Sequence, residues 1–93
     1  MVTIYKKKNY KIFSSSHSSY YIIWNTRKPF EDGHSHINNY NLAKHIIDLA
    51  INRKIPDKKK KYIIESLIRL TDNSNYKNKL ESLLEKKITL KKI

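Results

Sequence analysis

The sequence predicts an α+β fold: a small N-terminal antiparallel sheet of two or three strands over residues 2–26, then three helices. Three observations carry that expectation. Residues 2–26 are dense in β-branched and aromatic side chains, which suit strands. From Leu42 onward the apolar residues recur at intervals of three and four, the period of a helix with one buried face. Pro29 and Gly33 fall between these two halves, and Pro56 falls inside the second.

Taken in order, "VTIYK" (2–6) and "NYKIF" (9–13) read as two strands, with the lysines and Asn9 between them forming a tight turn. "SSSHSS" (14–19) is a polar connector. "YYIIWNT" (20–26) is the strongest strand segment, and its unbroken apolarity predicts a central strand covered by helices on both faces. "RKPFEDGHSHI" then reads as a loop, because proline and glycine interrupt the pattern. Asn38, Asn39 or Asn41 can cap a helix over about 40–54, whose stripe is Leu42, Ile46, Leu49 and Ala50. Pro56 restricts Ile55 to extended geometry and ends it. Asp57 is expected to cap a second helix over 58–71, in which Lys60, Ile63, Ile64, Leu67, Ile68 and Thr71 share a face. After "DNSN", Tyr76, Leu80, Leu83, Leu84 and Ile88 mark a third helix over 75–88, packed on the second as a hairpin. The tail "TLKKI" is expected to fray or pair. Residues 1–93 thus form one domain: a sheet half (1–26), a loop (27–38) and a helical half (39–93).

Composition narrows the function classes. A chain of 93 residues buries one modest core, so a deep cleft between subdomains is not expected. Without cysteine there are no disulfides, zinc–thiolate sites or thiol nucleophiles. No apolar run reaches the roughly 18 residues that cross a bilayer, and the first residues do not read as a signal peptide. A cytoplasmic protein without a membrane partner is expected.

The net charge of +12 points to an anionic partner, but it needs discounting. Lys, Ile, Asn, Tyr and Phe supply 49 of the 93 residues, and all five have AT-rich codons. The basic residues are 17 lysines and only three arginines, Arg27, Arg53 and Arg69. Proteins that read bases lean on arginine, whose planar fork grips guanine and phosphate through paired bonds. The charge is also uneven, with residues 14–37 summing to zero. Two clusters stand out as partner-binding residues. One is Lys6, Lys7, Lys8 and Lys11; the other is Arg53, Lys54, Lys58, Lys59, Lys60 and Lys61. Tetralysine at a helix start opposes the helix dipole unless an anion sits there. Tyr5, Tyr10, Tyr20, Tyr21, Trp24 and Tyr40 supply rings that can stack on bases, although Trp24, Tyr20 and Phe30 equally suit the core of a small domain.

"EDGHSH" (31–36) is the one stretch with the side chains of a catalytic or metal site. In an extended segment His34 and His36 share a side, and His45 lies on the next helix. Three imidazoles and a carboxylate can hold zinc with an open position, and this would make a metal-dependent phosphoester hydrolase. A lone H-x-H is a poor indicator, and glycine beside histidine in a loop more often makes a turn with a hydrogen-bonded ring. The expectation is therefore no catalytic residue, no metal and no cofactor. The favoured reading is a non-enzymatic basic protein that binds nucleic acid or a nucleoprotein complex. An exposed edge strand would also allow homodimerisation by β-pairing.

The stretch "YYIIWNTRKPFEDGHSHINNYNLAKHIIDLAINRKIP", with "ESLIRLTDNSNYKNKLESLL" after it, resembles short uncharacterised proteins of phages and mobile elements of low-GC bacteria. It covers roughly residues 20–85 and leaves the basic N-terminal hairpin unmatched. The resemblance implies a role in host takeover or defence evasion, including inhibition of a CRISPR effector, and carries over no catalytic residue. It also implies that Phe30, Gly33, His34 and His36 hold the crossing from strand to helix.

Overall fold

The structure, a computed structural model, describes residues 2–14, 19–58 and 60–92, with the side chains of the last helix described to Leu84. Most of the "SSSHSS" connector and Lys59 lie outside the described residues. Four strands come first: β1 (Val2–Lys7), β2 (Tyr10–Ser14), β3 (Tyr21–Asn25) and β4 (His34–Ile37). Three helices follow: α1 (Tyr40–Asn52), α2 (Lys61–Leu70) and α3 (Ser74–Lys92). The sheet is antiparallel throughout, in the order β1-β2-β3-β4.

The α+β architecture agrees with the sequence, and the details correct it. The segment read as a loop ends in a fourth strand, because residues 34–37 alternate: Ser35 and Ile37 point inward and are buried, while His34 and His36 point outward. Polar Ser35 hid that pattern, and its burial is satisfied by a 2.7 Å bond to Ser66 Oγ on α2. Strand β3 is covered on one face only. Ile23 and Asn25 face the helices, whereas Ile22 and Trp24 face out and are half-buried. The continuous apolar run has a different cause from double burial, namely an outer face lined with rings.

Helix boundaries follow their caps. Asn39 caps α1, its side-chain oxygen accepting from Leu42 N at 2.9 Å. The helix ends two residues earlier than expected, where Arg53 turns left-handed (φ 51°). Its N–H reaches Ala50 O and the next N–H, of Lys54, reaches Leu49 O, a Schellman closure. Asp57 does not cap α2; the N-cap is Lys60, without a side-chain bond. Three of the four lysines thus precede the helix. Asn73 caps α3, accepting from Tyr76 N at 2.8 Å, and that helix runs to Lys92 through the tail.

The core lies between the inner face of the sheet and the helices. Ile12 and Ile23 meet Ile46, Ile47, Ile64, Leu67, Leu70 and Leu80, all fully buried. At one end of it the carbonyls of Lys54 and Leu49 accept the Tyr76 hydroxyl, at 2.6 and 3.4 Å. Burial pushes the phenols of Tyr10 and Tyr76 up to about 12. Between pH 10 and 12 the unfolded chain therefore sheds protons that the folded chain keeps, so stability falls as pH rises through that window. Denaturation midpoints taken across this range should drop, and Tyr76→Phe should flatten the drop.

Gly33 is required by contact, not by conformation: no glycine has positive φ. A Cβ added there would stand 2.6 Å from Lys28 Cβ. Gly33 N donates to Pro29 O and Gly33 O accepts from Asn25 N, so the backbone has little room to yield. Gly33→Ala is expected to cost about 1–3 kcal/mol, the range for overpacking, in a denaturant titration.

Candidate functional site

The outer face of the sheet is the feature that the helices leave open. Pleating places one residue of each cross-strand pair on it in register: Lys6, Lys11, Trp24 and His34 form one row, and Phe13, Ile22 and His36 the next. Rings meet one another in sequence across these rows. Phe13 stacks on Trp24 (centroids 6.2 Å apart), and Trp24 meets Phe30 edge-on at 5.8 Å. Phe30 lies parallel to His34 at 4.4 Å, His34 meets His36 at 5.2 Å, and His36 meets Tyr20 at 6.5 Å. Six rings thus run without a break from β2 across to the far edge of the sheet.

Local chemistry holds this track in place. Trp24 Nε1 donates to Lys28 O at 3.0 Å, fixing the indole. His34 Nδ1 bonds Phe30 O, so the loop between them closes on itself. Arg69 of α2 donates through Nε to His34 O at 3.1 Å, which covers that edge of the sheet. Two shallow pockets border the track. One, of about 260 Å³, is lined by His34, Ser35, His36 and Arg69. The other, of about 400 Å³, is lined by Tyr20, His36, Ile37, Asn38 and Tyr62.

In the "EDGHSH" stretch the backbone bonds of Gly33 and the His34–Phe30 bond hold the turn into β4, while His34 and His36 also present their rings on the outer face. Phe30 is not inserted in the core; it stacks on the outer face with Trp24 and His34. His36 and His34 stand together, but His45 is exposed on α1, in the layer on the other side of the sheet. Among the described residues no group of three histidine, aspartate or glutamate side chains is placed to hold a metal ion.

The lysines expected to bind a partner do not form one surface. Lys6 and Lys11 flank the ring track. Lys7, on the inner side, pairs with Asp48 of α1 at 2.6 Å, and that carboxylate raises the pKa of its ammonium. Lys8 occupies the hairpin turn with φ 54° and lines a third pocket together with Arg53. Lys54 and Lys58 are exposed on the link after α1, and Lys59 lies outside the described residues. Lys60 and Lys61 immediately precede Tyr62, whose half-exposed ring borders the far end of the track. Only Lys6 and Lys11 of these lysines are thus set beside the aromatic surface by the sheet register.

Sequence reading missed Phe13 as a member of the track, and it missed Arg27, Arg69 and Tyr62. All three arginines line pockets: Arg27 and Arg53 the pocket at the hairpin turn, Arg69 the one beside His34. Their scarcity among so many lysines was the available signal. Of the expected stacking residues, Tyr10 is buried, while Tyr5, Tyr21 and Tyr40 cluster with each other and with the Lys44 ammonium on the helix side. No helix among the described residues is long and apolar enough to cross a membrane. No family model, curated protein or solved structure matches this chain.

Proposed function

We propose that this protein is a non-enzymatic binder of single-stranded nucleic acid, taken free or as the exposed strand of a nucleoprotein complex. The observation that supports it is the open sheet face: six rings in continuous contact, with Lys6 and Lys11 beside them. Base–aromatic stacking accepts any base and contributes about 1–3 kcal/mol per base, while cations hold the phosphates. A duplex hides the faces of its bases and cannot use such a track. A phage or mobile-element protein built this way would act on a host-defence effector, a CRISPR complex among them, by occupying the strand that the effector exposes.

Trp24 is the only tryptophan, so it reports directly on its own site. Titration with a mixed-sequence single-stranded oligonucleotide should quench its fluorescence in a saturable way. The affinity should fall steeply with added salt as phosphate counterions are released, and a duplex of the same sequence should bind more weakly. Quenching that saturates equally with duplex would sink the stacking reading. So would capture of one host protein that survives nuclease treatment while oligonucleotides leave Trp24 unchanged.

A further inference from the structure

We infer that the pocket at the β1–β2 turn is a phosphate-binding site, built by Lys8, Arg27 and Arg53. It has a volume of about 210 Å³ and is lined also by Asn9, Tyr10 and Asp72. Three cations face one carboxylate, and Asp72 stands 3.7 Å from Arg27, close enough to orient that guanidinium. The remaining two positive charges match a phosphate group, and two arginine forks provide the paired donors that its oxygens accept.

The backbone supplies the second, independent observation. Lys8 and Arg53 are the only non-glycine residues with positive φ among those described, and both line this pocket. Left-handed geometry is unfavourable for side chains bearing a Cβ, asparagine and aspartate excepted. Lys8 is the first residue of a two-residue hairpin loop, a seat that tight turns give to glycine or asparagine. Arg53 fills the Schellman position, where glycine or asparagine is favoured. Yet the chain has nine asparagines, and one adjoins each seat: Asn9 follows Lys8, and Asn52 precedes Arg53. Codon bias does not account for this, since asparagine codons are as AT-rich as lysine's. At both places the better turn former stands one residue away, and a cation takes the strained seat. Residues held in sparsely populated geometry cluster at ligand sites, where the strain serves a contact.

The site goes beyond the stacking reading and stands without it. Tyr10 and Asn25 pair one register step beyond Lys11 and Trp24, so the pocket lies past the end of the ring track. It suits either a nucleic-acid phosphate or a free one.

The test uses the ¹⁵N-labelled full chain, titrated with inorganic phosphate against chloride of matched ionic strength. Two oligonucleotides of one sequence, with and without a 5′-phosphate, complete the set. The amides of Asn9, Tyr10, Arg27, Arg53 and Thr71 should shift saturably with phosphate and not with chloride. Tighter binding of the phosphorylated oligonucleotide at these amides would identify a strand end. Equal shifts from both would identify an internal phosphodiester. Shifts from inorganic phosphate alone would identify a free phosphate ligand, with the Trp24 titration then deciding the stacking reading separately. Lys8→Gly and Arg53→Gly keep the left-handed backbone, so both should melt at the native temperature or above while phosphate affinity drops at least tenfold. Absence of saturable shifts with every phosphate-bearing probe would overturn the site. Native phosphate affinity in both glycine variants would overturn it too.

Discussion

Trp24→Ala is expected to weaken single-stranded oligonucleotide binding by about tenfold or more, the loss of one to two stacked bases. The indole touches Phe13 on one side and Phe30 on the other, so its removal breaks the track in the middle. Because the variant loses the fluorescence reporter, binding is read by anisotropy of a labelled oligonucleotide. Trp24 is half-buried and anchored to Lys28 O, so truncation also loosens the fold to some degree. His36→Ala separates the two effects. His36 is exposed, it joins His34 to Tyr20, and its loss should weaken binding with the melting temperature unchanged. If both variants bind as the native protein does, the rings are packing alone.

Asn25→Leu is expected to be the most destabilising single change at a polar position, by about 3 kcal/mol or more, since each buried group left unpaired costs about 1–3. Asn25 is fully buried and serves three segments at once. Its Nδ2 donates to Leu70 O at 2.7 Å, at the end of α2. Its Oδ1 accepts from Arg27 N at 3.0 Å and from the Asn9 side chain in the hairpin turn. Leucine has the same branched shape but bulkier methyl ends, so any loss reports on the broken bonds and on overpacking, and not on a cavity. Asn25→Asp should be as harmful, because a carboxylate has no donor for Leu70 O. Chemical denaturation with an unchanged m-value would check both. A shift under 1 kcal/mol would show that water replaces these partners.

The Asn25 hub bears on the phosphate pocket as well as on stability. It ties the Lys8–Asn9 turn, the start of the Arg27 segment and the end of α2 into one corner. Lys28 reinforces that corner by donating through Nζ to Arg69 O at 2.8 Å and Thr71 O at 3.3 Å, where a cation suits the negative end of the helix dipole. Desolvation there lowers the Lys28 pKa, with Lys77 adding to the effect. Two cations of the pocket, Lys8 and Arg27, are therefore presented by one hydrogen-bonded corner, and Arg53 is held separately by the closure of α1.

What the sequence determined alone is whatever rests on neighbours along the chain. The 3.6-residue stripes placed α1, α2 and α3, and β-branched density placed the N-terminal hairpin and β3. An asparagine cap was legible at Asn38, Asn39 or Asn41 because capping joins residues three apart, and the structure selects Asn39. Tertiary structure decided whatever depends on a partner far away in sequence. Strand β4 was hidden because Ser35 reads as polar until Ser66, 31 residues on, satisfies it. The run "YIIW" reads as doubly buried until the outer face is seen to carry rings and no helix. "KKK" at 6–8 looks like one cluster, but pleating sends Lys6 outward and Lys7 to Asp48, and the turn sends Lys8 into the pocket. Short-range periodicity sets which segments form, because the hydrogen bonds and faces involved recur within a few residues. Which side chains then meet depends on register and layer order, and these follow from closing the whole core.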